Sequence, residues 1–250
     1  MRYRHEILIV LAAISVAAVI AMASSRIQNP GGSGNTQRVV QKHDPNEWPV
    51  AEFEAPEPAD VTEREKRQRR NKLHNRSHLG VIGAINSPPG GDVVSLITEW
   101  QFELTALPVS QSDLVVIGEV ADARAFVSED KLGVYSEFTV KLEDVLKKET
   151  ALGVTKGDIL TVLRMGGRVR APSGRVVLFN IGAQRMPLKG GRYVLFLKAM
   201  NKEQDFCILT AYELRAGKAY PLDYSDLFDA YDGVDEATLL QAVRESIARP

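Results

Sequence analysis

The sequence predicts a mainly β protein, a small barrel or sandwich with an amphipathic helix at its C-terminal end. Three observations lead there. Between residues 113 and 222, short strand-like runs are cut at regular spacing by turns such as Gly157-Asp158 and Pro172-Ser173-Gly174. Within that stretch 134–146 alternates cleanly, with Val134, Ser136, Phe138, Val140 and Leu142 on one face and Tyr135, Glu137, Thr139, Lys141 and Glu143 on the other. Beyond residue 233 the period becomes helical. Asp235 is placed to cap, Val234 and Leu239 have the spacing of a hydrophobic staple, and Leu240, Val243 and Ile247 form one apolar face.

The chain opens on an address. Met1-Arg-Tyr-Arg-His5 is basic, 7–23 is almost wholly apolar, and Ala21-Met22-Ala23 matches a signal-peptidase site, so 1–23 reads as a signal peptide or a membrane anchor. A crossing helix needs about 20 apolar residues, and this run is slightly short of that. Cleavage after Ala23 and retention as a transmembrane helix therefore both stand. In either case the basic start stays in the cytoplasm and the rest is exported, to the cell envelope, periplasm or exterior. No cysteine stands directly after the run, where Ser24 follows Ala23, so a bacterial lipoprotein anchor is not expected.

Residues 24–60 read as a disordered linker. Asn29-Pro-Gly-Gly-Ser-Gly-Asn35 is flexible, and 44–60 carries Asp44, Glu47, Glu52, Glu54, Glu57 and Asp60 with four prolines and no Lys or Arg. Trp48 and Phe53 stand out there as groups able to dock on a domain or a partner. Residues 61–112 read as a helical or irregular lead-in. The spacing of Asp60, Thr62, Glu63 and Glu65 fits a capping box, and a basic run follows: Arg64, Lys66, Arg67, Arg69, Arg70, Lys72 and Arg76. A solvated helix face is the preferred reading of that run, ahead of binding to anionic lipid headgroups, a polyanion or the acidic tract just upstream. His74 and His78 have helical spacing for a shared metal, but no carboxylate lies near in sequence to complete a site. Residues 93–100 fit a strand or a short helix equally.

The β domain spans 113–250 with its C-terminal helix. Its strands are expected at 114–127, with a bulge near Gly118, then at 134–146, 159–165, 176–181, 192–200, 206–214 and 218–222. With 44% hydrophobic and 25% charged residues the composition is that of an ordinary globular protein, and a net charge of −1 gives no global field for nucleic acid. The one cysteine, Cys207, cannot form an internal disulfide and reads as a small buried apolar residue.

The order Ser112-Asp-Leu-Val-Val, Gly118, a strand ending Val145-Leu-Lys147, Gly157-Asp158 and Gly191-Arg-Tyr-Val-Leu-Phe-Leu resembles a widespread, uncharacterised set of secreted or anchored bacterial β domains. It is more distantly similar, in rhythm, to the OB-like barrels of netrin modules and tissue inhibitors of metalloproteinases. The resemblance implies a small OB-like or Greek-key β-barrel over 113–222. It implies no activity, because those inhibitors act through an N-terminal cysteine and disulfides that this chain lacks.

No Walker loop, dinucleotide fingerprint, G-x-S-x-G or Cys/His cluster occurs, and 113–250 contains no histidine, the commonest general base. No catalytic, cofactor-binding or metal-binding residue is therefore assigned, and no cofactor is expected. Gly166-Gly-Arg-Val-Arg170 precedes a hairpin rather than a helix and does not suit phosphate. One constellation remains: Arg164, Arg168, Arg170, Arg175 and Arg185, a possible cationic patch for an anionic ligand or an acidic partner in the envelope. A solvated hairpin is the plainer reading of the same residues. The function expected is binding or structural, at the envelope, without catalysis. The rival class is an extracytoplasmic hydrolase working through surface carboxylates.

Overall fold

Two β-sheets and a C-terminal helix make up the described part of the chain. The structure, a computed structural model, describes residues 44–75, 103–200 and 205–249, and the backbone alone of 95–98. All lie in one compact unit, 42–250. The other unit, 1–41, with the apolar run 7–23, lies outside the described residues, as does His78. Among the described residues no helix is long and apolar enough to cross a membrane.

The strands in chain order are β1 (Val50–Glu52), β2 (Ser95–Thr98), β3 (Leu114–Val127), β4 (Val134–Lys148), β5 (Ile159–Met165), β6 (Gly167–Arg170), β7 (Val176–Ile181), β8 (Arg192–Ala199), β9 (Phe206–Arg215), β10 (Lys218–Pro221) and β11 (Val234–Asp235). The helices are α1 (Val61–Leu73) and α2 (Glu236–Ala248). The larger sheet has the order β11-β10-β9-β5-β4-β3-β8, and the smaller one β1-β6-β7-β2.

The expected closed barrel is corrected. The strands divide between two sheets, and the larger one curls without closing fully. Its β9 pairs along most of its length with β8 but meets β5 at only two positions, Val162 with Phe206 and Leu163 with Cys207. The glycine pair after β5 explains the division. Gly166 and Gly167 both have positive φ, 105° and 140°, and a Cβ on Gly166 would fall 2.6 Å from Met186 Cε. The chain can therefore turn out of the large sheet and begin β6 of the small one at once.

Burial on both faces explains the unbroken apolar runs of β3 and β8. Leu114, Val116, Val120, Leu195 and Leu197 point into the main cluster with Phe138, Val140, Val162, Phe206 and Trp48. The alternate residues Val115, Ile117, Val194 and Phe196 point the other way, into a second cluster closed by Leu239 and Val243 of α2 and by Phe228. The helix thus covers the outer face of the sheet. Asp235 makes no capping bond; it pairs with Lys218 instead, at 2.7 Å. The bulge expected near Gly118 is present, as a register shift between Ile117 and Gly118. A Cβ there would meet Val140 Cγ1 at 2.6 Å, so only glycine fits without movement.

The disordered linker expected over 24–60 is corrected for its described part, 44–60. Trp48 is 3% exposed in the main cluster, and β1 runs parallel to β6 in the small sheet. Burying the indole supplies the apolar area that the rest of this acidic, proline-rich stretch lacks. Its prolines lie outside β1, where no ladder donor is lost. β2, within the ambiguous 93–100, is a strand paired parallel to β7. The β fold therefore draws on residues before 113.

The basic helix α1 is not a solvated rod. One side of it lies on the large sheet through polar contacts. Arg67 bonds Glu137 at 2.5 Å and lies over the Phe126 ring, and Asn71 accepts from the Tyr135 hydroxyl at 2.8 Å. Arg70, 4% exposed, pairs with Glu137 at 2.9 Å and with Asp205. Burial would lower its pKa, but the Asp205 hydrogen bond and the Glu137 charge raise it above the usual arginine value. His74 stacks on Tyr135 with centroids 4.1 Å apart and bonds the Arg70 carbonyl through Nδ1, so its ring is a packing element.

Candidate functional site

The candidate site is built where the loop that joins the small sheet to the large one meets a loop of the large sheet. The loop after β7 brings Ala183 and Arg185, and the loop after β10 brings Asp223 and Tyr224. A backbone bond from Tyr224 N to the Ala183 carbonyl, 2.8 Å, ties the loops together. The second loop is anchored at both ends. Leu222 is buried in the main cluster, and Phe228 is buried in the outer one, edge-on to Tyr212. Between these anchors Tyr224 and Leu227 face outward, 53% and 43% exposed.

Beneath the loops lies a buried polar knot. Asp223 accepts two 2.7 Å bonds from Arg164 Nη2, one to each oxygen. It also accepts from Thr210 Oγ1 at 2.8 Å and from the Arg185 backbone N–H at 3.1 Å. Both oxygens are therefore occupied without the Arg185 side chain. Arg185 is 7% exposed, and its guanidinium lies over the Tyr224 ring. Its Nε and Nη2 are buried and have no hydrogen-bond partner among the described residues. Burial pushes this guanidinium down to about 10, against the pull of Asp223 and Asp232. Buried donors left unmade cost about 1–3 kcal/mol each, more when charged, so an unfilled arginine edge calls for a reason.

Arg185 does not itself line a cleft, but the Tyr224 residue that covers it does: a cleft of about 420 Å³ is walled by Leu104, Ala183, Tyr224, Asp226, Leu227 and Phe228. That size lies within the usual range for small-molecule pockets, about 300–1,000 Å³. A second cleft, about 670 Å³, lies between α1 and the 128–131 turn and is lined mainly by charged and amide groups such as Glu65, Arg69, Lys72 and Glu129. Its lining is more polar than apolar, the reverse of the first cleft.

The five arginines singled out in the sequence do not form one patch. Arg164 meets Asp223 through its side chain and Arg185 only through its backbone N–H, and both residues are buried. Arg168 donates from Nε to the Trp48 carbonyl at 2.9 Å, and burial lowers its pKa, so it fastens the 44–53 segment. Arg170 is exposed and 3.7 Å from Glu52. Arg175 sits partly buried just before β7, with its carbonyl closing the hairpin on Ala171 N–H. Asp223, Tyr224 and Thr210 had no sequence signal. Asp223 follows a strand end, where an aspartate ordinarily reads as a turn residue.

Cys207, on β9, is partly buried, and burial pushes its thiol up against the opposing pull of Arg164. Glu213 on the same strand is a buried carboxylate, and burial raises its pKa against the pull of Arg215. No family model matches this chain, and no curated protein matches it.

Proposed function

We propose that this chain is an exported or membrane-tethered envelope protein whose β domain binds an anionic ligand without transforming it. The observation that carries the binding reading is Arg185: a residue 7% exposed, with two unfilled donors, covered by the ring of Tyr224, which also walls an open cleft. Arginine edges of this kind match carboxylate or phosphate oxygens in pairs. The finer fold reading is a partly open OB-like barrel, supported by the neighbour order β3-β4-β5-β9-β8 with β9 parallel to β5. The export reading rests on the basic start and the apolar run 7–23.

Both parts have direct tests. At constant ionic strength, the thermal midpoint of the full chain in detergent should rise with added anion across a panel of formate, benzoate and inorganic phosphate for at least one member. The rise should be absent in Arg185→Gln. A ligand that binds only the folded state stabilises it by about 2.7 kcal/mol at a hundred times its Kd, a shift of several degrees. No rise with any panel member would reject the anion site. For export, a reporter active only outside the cytoplasm, fused after Pro250, should be active. Activity of a cytoplasm-only reporter instead would reject that half of the proposal.

A further inference from the structure

We infer that the cleft takes a small carboxylic acid with an apolar body, and that the Tyr224 ring is the shutter between the cleft and Arg185. This rests on the anion-binding reading above and specifies it. The two unfilled donors, Nε and Nη2, lie on the same edge of the guanidinium. That edge matches the two oxygens of a single carboxylate, which it can hold with two parallel hydrogen bonds. The cleft walls decide what the rest of the ligand is. Leu104, Ala183, Leu227 and Phe228 are apolar and suit an aliphatic or aromatic body. Asp226, also on the wall, is acidic. It disfavours a doubly charged group such as phosphate and tolerates one negative charge placed against Arg185.

Tyr224 stands in both places at once. Its ring covers the Arg185 guanidinium and also lines the cleft. Its backbone is fixed by the bond to Ala183 while the residue is 53% exposed, so the ring can change rotamer without disturbing the loop. In the closed position the ring face compensates the buried cation through a cation–π contact. In the open position the carboxylate takes over that role with direct hydrogen bonds. The site is thus kept from binding bulk anions indiscriminately. A ligand must offer enough apolar contact in the cleft to hold the ring aside.

The test uses the full chain in detergent with three probes: benzoate, benzyl alcohol as its neutral counterpart, and inorganic phosphate. Calorimetric titration should show benzoate binding at least about tenfold tighter than either of the others, a gap of about 1.4 kcal/mol. Arg185→Gln should remove that preference. Tyr224→Ala, at an exposed position, should leave the fold intact and raise the benzoate association rate several-fold in stopped-flow measurements, because no ring has to move first. Phosphate binding without benzoate binding would overturn the carboxylate assignment while leaving an anion site in place. Binding of neither anion would overturn both. Equal binding of benzoate and benzyl alcohol would assign the cleft to apolar contact and overturn the role of Arg185. An unchanged association rate in Tyr224→Ala would overturn the shutter.

Discussion

Replacing Asp223 with alanine is expected to cost the protein about 3–5 kcal/mol of stability, the range for breaking a buried ion pair from one side. The Asp223 side chain is fully buried and that of Arg164 is 1% exposed. The carboxylate accepts both Arg164 bonds, the Thr210 hydroxyl and the Arg185 backbone N–H, which join β5, β9 and the loop after β7 in one knot. Its loss takes from a buried guanidinium the carboxylate that holds it and releases both loops of the candidate site. The double replacement Arg164→Met with Asp223→Leu should cost much less, because the desolvation of the pair disappears with the pair. Urea denaturation of the two variants is the check. A drop in midpoint with an unchanged slope is expected for Asp223→Ala. A loss below about 1 kcal/mol, as for a surface ion pair, would show that the knot is solvated.

Trp48→Ala should also cost about 3–5 kcal/mol, the usual range for truncating a buried aromatic. The indole is 3% exposed in the main cluster with Leu114, Val116, Phe138 and Val162, and its carbonyl accepts from Arg168. The loss should be selective in space. Segment 44–60 should become the first site of limited proteolysis, because β1 holds to β6 by only a short parallel ladder, Val50–Glu52 against Arg168–Arg170. If 44–60 were instead a free linker, the substitution would leave the denaturation midpoint unchanged and wild type would already be cut there.

These two residues mark where the sequence was legible and where it was not. The faces of β4, the bulge at Gly118 and the apolar stripe of α2 each arise from neighbours in the chain, so periodicity revealed them. For Trp48 the sequence shows a group able to dock, and the indole does dock, but not where or through which strand. A three-residue strand pairing in parallel with a segment more than a hundred residues away leaves no period to read, and its acidic, proline-rich setting argues for disorder. The α1 helix misleads for a related reason. Its arginines look solvated in sequence, yet Arg67 and Arg70 are answered by Glu137 and Asp205, which only the fold brings near.

The candidate site illustrates the same limit. Arg164 and Arg185 could be picked out as chemistry-bearing residues, but the patch they were assigned to required exposure. Arg164 lies 59 residues from Asp223, and nothing local distinguishes a partnered buried arginine from a free surface one. What separates Arg185 from Arg164 is a matter of hydrogen bonds: Asp223 has no remaining place for a second guanidinium. That distinction exists only in three dimensions.

The most direct measurement of the anion site is the Arg185 side chain itself. In nitrogen-detected or proton–nitrogen NMR of the full chain, the Arg185 Nε–H resonance can be assigned by its disappearance in Arg185→Gln and followed during titration with benzoate. A saturable downfield proton shift at this resonance, with protection from solvent exchange, is the result expected if the carboxylate bonds that edge. A resonance that stays in place while benzoate is titrated to high concentration would contradict the site.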